Sequence, residues 1–302
     1  MIKFLYMSSS SDLPITEKVS LGLTLAGASS EAVQANIALQ IKSRVKFVDR
    51  IVVDTDAVAP IFMGLKKGTV LISGTGSSCL FISENGIEKR SGGLGHMLGD
   101  EGSAYWIATK AIKLVLDKAD EIPNNVLDTS LVEREIKNYF KIEDLKDLMK
   151  IFHENFDKAK IAGFTERLAI TANDKNDPGK QKCLFILKNL VAKICFSSAG
   201  SELAKLVVSM ENTLENGDEV PPEILCQGSV WNSCNLLKES FIQGTFSRLF
   251  FASSFAFSGM KLHSKLTALS FVQVSACCAY GAARFASIKL TVSHFCNANL
   301  QR

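Results

Sequence analysis

Several signatures that would restrict the function are missing from this sequence. Its formal net charge is only +3, from 34 basic and 31 acidic residues, so nothing implies a nucleic-acid partner. The eight cysteines are scattered, and no Cys-x-x-Cys spacing occurs. This pattern argues against a disulfide framework or a zinc site and favours reduced thiols in a cytoplasmic protein. The four histidines lie far apart in the sequence, so they predict no metal cluster.

Long apolar runs are also scarce. Residues 266–283 carry no charged side chain and reach the length of a membrane span, but they include four polar residues and lie between Lys265 and Arg284. The polar residues favour a buried helix over a span. Residues 1–7 are too short for the apolar part of a signal peptide and lack a small-residue cleavage site. We therefore expect a soluble protein with no membrane partner.

The most informative stretch present is residues 68–111. A β-branched run at 69–72 leads into the turn sequence SGTGS, and a second apolar run at 79–82 ends at Asn85-Gly86, a tight-turn pair. These features predict a β-hairpin. Two glycine clusters follow, on either side of Asp100, ahead of a helical pattern that starts near Ser103. Such clusters allow backbone amides to approach an anion or a polyol closely.

Three interpretations of this stretch can be compared. A dinucleotide site is disfavoured because the third glycine of its fingerprint is missing and a strand, not a helix, follows the turn. The P-loop pattern Gly-x-x-x-x-Gly-Lys-Ser/Thr is absent. Ordinary hairpin chemistry explains an isolated GTGS sequence equally well, so the turn alone does not define a function.

A pair of acidic residues follows a second set of elements near the start of the chain. Residues 19–25 alternate like a strand, Ser30 can cap a helix through Ile41, and residues 51–53 are a buried strand. A strand, a helix and a strand predict a parallel crossover unit, in which ligands bind beyond the carboxyl ends of the strands. Asp54 and Asp56 lie at such an end. From the residues alone, helix capping or a solvated turn is the favoured explanation of this pair.

The later chain gives weaker signals. Residues 111–210 are predicted to be mostly helical, with an amphipathic segment at 141–156, a polar break at 173–182 and a long helix from 181 to 210. Residues 223–227 predict a short strand, and the turn sequence GSVW at 228–231 follows it.

These motifs together resemble one family. The segments ISGTGS at 72–77 and GGLGHMLGDEGSAYWI at 92–107 are similar to the N-acetylglucosamine kinases, BadF/BadG-type ATPases of the sugar kinase/actin-like superfamily; TDA at 55–57 and GSVW match as well. The resemblance implies an α/β, ribonuclease H-like (actin-like ATPase) fold with two domains around a cleft. It divides the chain into a partial N-terminal sugar-kinase domain (1–66), a C-terminal ATPase and dimerisation domain (67–280), and a C-terminal segment (281–302), with a return to the N-terminal domain as one option.

The resemblance also implies a function and a set of site residues. The expected reaction is ATP- and Mg²⁺-dependent phosphorylation of N-acetyl-D-glucosamine at its 6-hydroxyl, in a homodimeric enzyme of amino-sugar salvage. Asp56 is the expected catalytic base, because a carboxylate must take the proton of a weakly nucleophilic alcohol. The other residues it assigns are, for the sugar, Asp56 again with Gly76, Ser77, Ser78, Gly93, Leu94, Gly95 and Asp100, and for ATP, Thr75, Ala172, Gly228 and Ser229; it assigns no metal ligand.

Departures from the family pattern point to alternatives. Ser78 replaces an asparagine and Leu94 a tryptophan, and both changes weaken the expected sugar contacts. The resemblance begins near Lys18, so the first phosphate loop, with its acidic residue, has no counterpart here. We therefore expect weak or no activity. The alternatives are a catalytically impaired isoform that acts as a sugar-binding or regulatory partner, and a related amino-sugar kinase.

Overall fold

A computed structural model describes residues 19–25, 27–28, 30–59, 68–83, 88–123, 126–173, 189–211, 223–255 and 270–273. The described residues fall into two compact units, one between residues 19 and 59 and the other between residues 68 and 273. Both predicted domain boundaries, at residues 66 and 280, lie outside the described residues, so the three-part division stays a prediction.

The first unit is the predicted crossover. Strand β1 (Val19–Leu25) and strand β2 (Val48–Thr55) pair in parallel, and helix α1 (Glu31–Arg44) connects them. Ser30 caps α1 as expected, its hydroxyl oxygen accepting the Val33 N–H at 3.4 Å. The crossover prediction is confirmed, and it places the end of β2 at the edge where ligands of parallel sheets bind.

The second unit contains a mixed sheet in which the predicted hairpin is confirmed. The sheet has the strand order β5-β4-β3-β6-β7, in which β4 pairs antiparallel with both β3 and β5, whereas the pairs β3/β6 and β6/β7 are parallel. All six residues of β4 are buried, which explains its unbroken apolar run. The Asn85-Gly86 turn lies outside the described residues. The strands are β3 (Gly68–Ser73), β4 (Ser77–Ile82), β5 (Glu88–Gly92), β6 (Glu223–Gln227) and β7 (Ser270–Gln273).

Helices cover this sheet, and residues 111–210 are largely helical, as predicted, where the structure describes them. Helix α2 buries Ile107, Ala108, Ala111, Ile112 and Val115 at helical spacing, so one face of it enters the core. The sequence predicted an amphipathic segment at 141–156; the structure forms a 3-10 turn (Leu145–Asp147) and a π turn (Lys150–Glu154) there. The helices are α2 (Ala104–Ala119), α3 (Ser130–Phe140), α4 (Lys158–Asn173), α5 (Leu190–Glu211) and α6 (Cys234–Phe255), with a 3-10 turn at Ser229–Ser233.

The expectation of a buried helix over residues 266–283 is wrong where the structure describes this segment. Ser270–Gln273 is strand β7, paired in parallel with β6. The sequence SFVQ has the strand-favouring residues Phe271 and Val272 at its centre, and sheet pairing satisfies its backbone groups. In the part of the chain that the structure describes, no helix combines the length and the apolar character needed to span a membrane.

Candidate functional site

The hairpin turn between β3 and β4 is fixed by the carboxylate of Asp100. One carboxylate oxygen of Asp100, Oδ1, accepts the Ser77 N–H at 3.2 Å, and the residue is only 4% exposed. A Cβ atom at Gly76 would lie 3.0 Å from both carboxylate oxygens, so any larger residue would crowd the carboxylate. Asp100 itself has φ +64°, a left-handed conformation that Asp tolerates better than most residues. The structure thus brings together three residues predicted to bind the sugar.

Three further hydrogen bonds hold the same turn against the loop at 100–104. The Ser73 hydroxyl donates to the Gly102 carbonyl at 2.8 Å and the Ser77 hydroxyl to the Glu101 carbonyl at 2.7 Å. The Ala104 N–H donates to the Gly74 carbonyl at 2.8 Å. Because Ala104 is the first residue of α2, the amide-rich end of that helix lies at the hairpin turn.

The loop at 93–99 approaches the turn from the side of β5. The Gly93 N–H donates to the Ser77 carbonyl at 3.0 Å, and Gly93 and Gly95 have φ values of +73° and +84°. Leu94, between them, is 70% exposed. Ser78 is buried and pairs with Gly92 in the ladder between β4 and β5. Of the predicted sugar residues, Gly93 therefore contacts Ser77 at the end of the turn, and Ser78 lies in the adjoining strand.

A residue that the sequence analysis did not identify completes this cluster. The Lys158 ammonium lies 2.7 Å from Oδ2 of Asp100 and is 29% exposed. Lys158 is the first residue of α4, and Asp157 accepts the Lys160 N–H at 3.0 Å, as a capping residue does. A cation at a helix N-terminus opposes the helix dipole. No local pattern in the sequence identified this lysine, because its partner lies 58 positions away.

An aromatic contact lies next to this ion pair. His96 lies in the loop at 93–99, called the glycine loop below. Its ring stacks on Phe156 with centroids 5.1 Å apart and meets Tyr105 edge to face at 4.9 Å. Since Phe156 is two residues before Lys158, residues 156–158 contact the glycine loop through His96 and the loop at 100–104 through Asp100.

Two of the predicted nucleotide residues, Gly228 and Thr75, lie at the same hairpin turn. Gly228 has φ +112°, and a Cβ atom there would overlap the Ser73 carbonyl and lie 2.7 Å from the Gly74 nitrogen. Thr75, at the tip of the turn, is exposed, and its amide and hydroxyl have no hydrogen-bond partner among the described residues. Exposed amide and hydroxyl donors on a glycine turn are suited to binding phosphate.

Ala172 and Ser229 are linked to the same region less directly. The Asn235 side-chain amide donates to the Asn173 side-chain oxygen at 2.7 Å, which joins the end of α4 to the beginning of α6. Ala172 is 4% exposed, with its methyl group in the core, whereas Ser229 is exposed. These two assignments stay predictions.

In the first unit, Asp54 and Asp56 have different surroundings. Asp54 Oδ1 accepts the Thr55 N–H at 2.7 Å and the Gln34 side-chain amide at 3.4 Å, so it links β2 to α1. Asp56 is half-buried just beyond the end of β2, and its Oδ1 accepts the Thr55 hydroxyl at 3.1 Å. Asp54 therefore has a structural role, while Asp56 occupies the ligand-binding edge of a parallel pair.

Two further features lie outside this cluster. A cavity of about 860 Å³ is bounded by the later part of α2, by α3 and by residues 143–153, and contains none of the predicted site residues. Within the described ranges, no group of three or more His, Cys, Asp or Glu side chains could hold a metal ion.

The fold and site together define an α/β protein of the ribonuclease H-like, actin-like ATPase fold, as predicted. A solved structure from Chromobacterium violaceum, described as a candidate N-acetylglucosamine kinase, shares this fold with a TM-score of 0.60, over 88% of this chain and 75% of that chain, at 18% identity. The chain belongs to the BadF/BadG/BcrA/BcrD ATPase family, whose model matches residues 16–247. The predicted family resemblance is thereby confirmed.

Two relatives have sugar-kinase names. The N-acetylmuramic acid/N-acetylglucosamine kinase of Clostridium acetobutylicum is 31% identical over 198 residues, which are 65% of this chain and 59% of that protein. The N-acetyl-D-glucosamine kinase of Dictyostelium discoideum is 35% identical over 86 residues, 27% of each protein. The chain thus spans less than two thirds of the length of both relatives.

Proposed function

We propose that this chain transfers a phosphoryl group from ATP to the 6-hydroxyl of N-acetyl-D-glucosamine. The observation that carries the proposal is that the turn between β3 and β4 contacts both the Asp100 carboxylate and Gly228. A sugar held at Asp100 and a nucleotide held at Gly228 would therefore lie at the same turn. Membership of an ATPase family and the names of the two relatives support the same reaction.

The sugar side offers oriented acceptors. Each oxygen of the Asp100 carboxylate already accepts one hydrogen bond, from Ser77 and from Lys158. A carboxylate oxygen has a second acceptor position, so Asp100 can still receive sugar hydroxyls. The amides of Leu94 and Gly95 and the residues Gly76 and Ser78 supply the remaining proposed contacts, with Gly93 fixing the loop on Ser77.

On the nucleotide side, the residues present fit a phosphate. Thr75 would bind the phosphates through its amide and hydroxyl, and Gly228, Ser229 and Ala172 would lie at the adenosine. ATP supplies the phosphoryl group, and Mg²⁺ enters the proposal as the counter-ion of ATP. Among the described residues no group of three or more His, Cys, Asp or Glu side chains could hold a metal ion, and Mg²⁺ bound to ATP needs fewer protein ligands, so the proposal assigns it none.

Asp56 is the proposed general base. Its carboxylate would accept the proton of the 6-hydroxyl as the oxygen bonds to phosphorus, which general-base catalysis requires. The structural hydrogen bonds of Asp54 support the choice of Asp56 over its neighbour. Positioning and charge stabilisation account for most of the remaining catalysis in phosphoryl transfer.

Sugar-dependent ADP formation tests this proposal. The purified chain is given ATP, Mg²⁺ and, in separate reactions, N-acetylglucosamine, N-acetylmuramic acid, glucosamine or no sugar. We expect ADP to form fastest with N-acetylglucosamine, but slowly, because Ser78 and Leu94 weaken the expected sugar contacts. ADP formation only with N-acetylmuramic acid or glucosamine would contradict the proposed substrate, and formation independent of sugar would contradict the transfer reaction.

We also propose that the protein is homodimeric and cytoplasmic. The dimer is supported by the family resemblance, and the location by buried free thiols at Cys79, Cys195 and Cys226. Light scattering of the purified chain should give twice the mass of 32.9 kDa. A monomeric mass at micromolar concentration would contradict the dimer.

A further inference from the structure

We infer that Lys158 is a positioning residue, which holds the Asp100 carboxylate in the orientation that binds the sugar. The sugar part of this inference rests on the proposed function. Its structural part, that Lys158 keeps Asp100 on the hairpin turn, does not.

The two oxygens of the Asp100 carboxylate accept hydrogen bonds from two different donors. Oδ1 accepts from the Ser77 amide at 3.2 Å and Oδ2 from the Lys158 ammonium at 2.7 Å. Two donors on different oxygens fix both the position and the rotation of a carboxylate, whereas the Ser77 bond alone would leave the plane free to turn. Hydrogen bonds to charged groups are also shorter and stronger than neutral ones, so the lysine provides the stronger contact.

Burial of Asp100 makes its carboxylate depend on a cationic partner. Asp100 is 4% exposed, and a buried carboxylate without a cationic partner is costly. Lys158 is the only cation that contacts it among the described residues. Loss of Lys158 would therefore favour rotation of the carboxylate towards water and away from Ser77.

The backbone of Lys158 is held in place by its neighbours. Its backbone begins α4, Asp157 caps that helix, and Phe156 stacks on His96 of the glycine loop. Residues 156–158 therefore contact both His96 of the glycine loop and Asp100. A lysine whose backbone is held in this way can fix a carboxylate better than one on a free loop.

The test compares Lys158→Met with Lys160→Met. Lys160 is exposed in the same first turn of α4 and carries no ion pair among the described residues, so it controls for loss of a charge at this helix end. Lys158→Arg tests rescue by another cation. If Lys158→Met fails to fold, Lys158→Gln replaces it, because glutamine keeps a donor for the buried carboxylate.

The first measurement is hydrogen exchange of the Ser77 amide, which donates to Asp100. We expect exchange in Lys158→Met to be at least about tenfold faster than in the wild type, and unchanged in Lys160→Met and Lys158→Arg. Global unfolding would accelerate all core amides, so the amides of residues 79–82 of β4 serve as the internal reference. An unchanged Ser77 amide, or equal acceleration throughout β4, would overturn the inference.

The second measurement is N-acetylglucosamine affinity by calorimetry. We expect Kd to rise about ten- to hundredfold in Lys158→Met, the effect of a misplaced binding group, and to stay within about threefold in the other two variants. Unchanged Kd with altered exchange would reject a role in sugar positioning. If the wild type binds no N-acetylglucosamine, the proposed function fails, while the Ser77 exchange rate still decides whether Lys158 holds Asp100.

Discussion

Replacement of Gly228 tests whether the turn at 228–231 must contact the hairpin turn directly. Replacement by alanine would place a Cβ atom on the Ser73 carbonyl and force a non-glycine residue to φ +112°. We expect Gly228→Ala to lower the free energy of unfolding by about 3 kcal/mol or more, from strain and overlap together. Urea unfolding measures this loss.

Gly95→Ala is the matched control. Gly95 also has a positive φ of +84°, but a Cβ atom there would meet nothing within 4 Å. Only backbone strain remains, so the loss should be about 1 kcal/mol. Equal losses in the two variants would contradict the close packing of Gly228 on the hairpin turn.

Asp56 is the residue on which the proposed chemistry depends. Asp56→Asn keeps the size of the side chain but removes the base, so we expect kcat for sugar-dependent ADP formation to fall at least about a hundredfold. The far-ultraviolet circular dichroism should be unchanged. Asp54→Asn is the control: its amide oxygen can still accept from Thr55, and turnover should persist. Loss of activity in Asp54→Asn with retention in Asp56→Asn would reverse the assignment.

At the scale of elements, the start of α2 joins the hairpin turn to the core. Ser103 is fully buried, and its hydroxyl oxygen accepts the Trp106 N–H at 3.2 Å. We expect Ser103→Ala to lower the free energy of unfolding by about 1 kcal/mol, and Ser103→Gly by a few tenths of that, because glycine is a tolerated cap. Urea unfolding of both variants checks this, and equal losses would argue against capping as the cause.

Some elements could be predicted from the sequence because their signals are local. The hairpin follows from two apolar runs around a glycine turn, and the cap at Ser103 follows from its place before a helical pattern. Residues 141–156 are different: their amphipathic spacing predicted no particular turn type, and tertiary packing produced 3-10 and π turns. Strand β7 was misread because short apolar runs do not separate helix from strand.

The site shows the same limit. Glycine-rich turns and acidic residues at strand ends could be recognised from their order in the chain. The ion pair between Lys158 and Asp100 joins residues 58 positions apart, and no local pattern connects them. Likewise, the contact between Gly228 and Ser73 depends on the parallel pairing of β3 with β6. These two strands are distant in the sequence and become neighbours only in the folded sheet.

For the molecule as a whole, the buried thiols predict a loss of stability in alkali. Burial raises the pKa of the Cys79 and Cys195 thiols from 9.0 to about 12 each. The unfolded chain therefore releases these protons at lower pH than the folded chain. Their contribution to stability is complete below pH 9 and is lost as pH rises from 9 to 12.

Urea unfolding at pH 8 and pH 10 measures this effect. We expect the free energy of unfolding to fall by about 1 kcal/mol per buried thiol between the two values. Cys79→Ala removes one titrating group. The decrease in the free energy of unfolding between pH 8 and pH 10 should therefore be smaller by about 1 kcal/mol in this variant. An equal fall in this variant would contradict the assignment to Cys79.

The most direct test of the central claim is phosphorus NMR of the reaction product. The chain is incubated with ATP, Mg²⁺ and N-acetylglucosamine, and the new phosphate resonance is identified by its coupling to sugar protons. The account predicts a phosphate monoester coupled to the two protons on carbon 6, and its loss in Asp56→Asn. A phosphate on another carbon, or release of free phosphate with no sugar ester, would contradict the account.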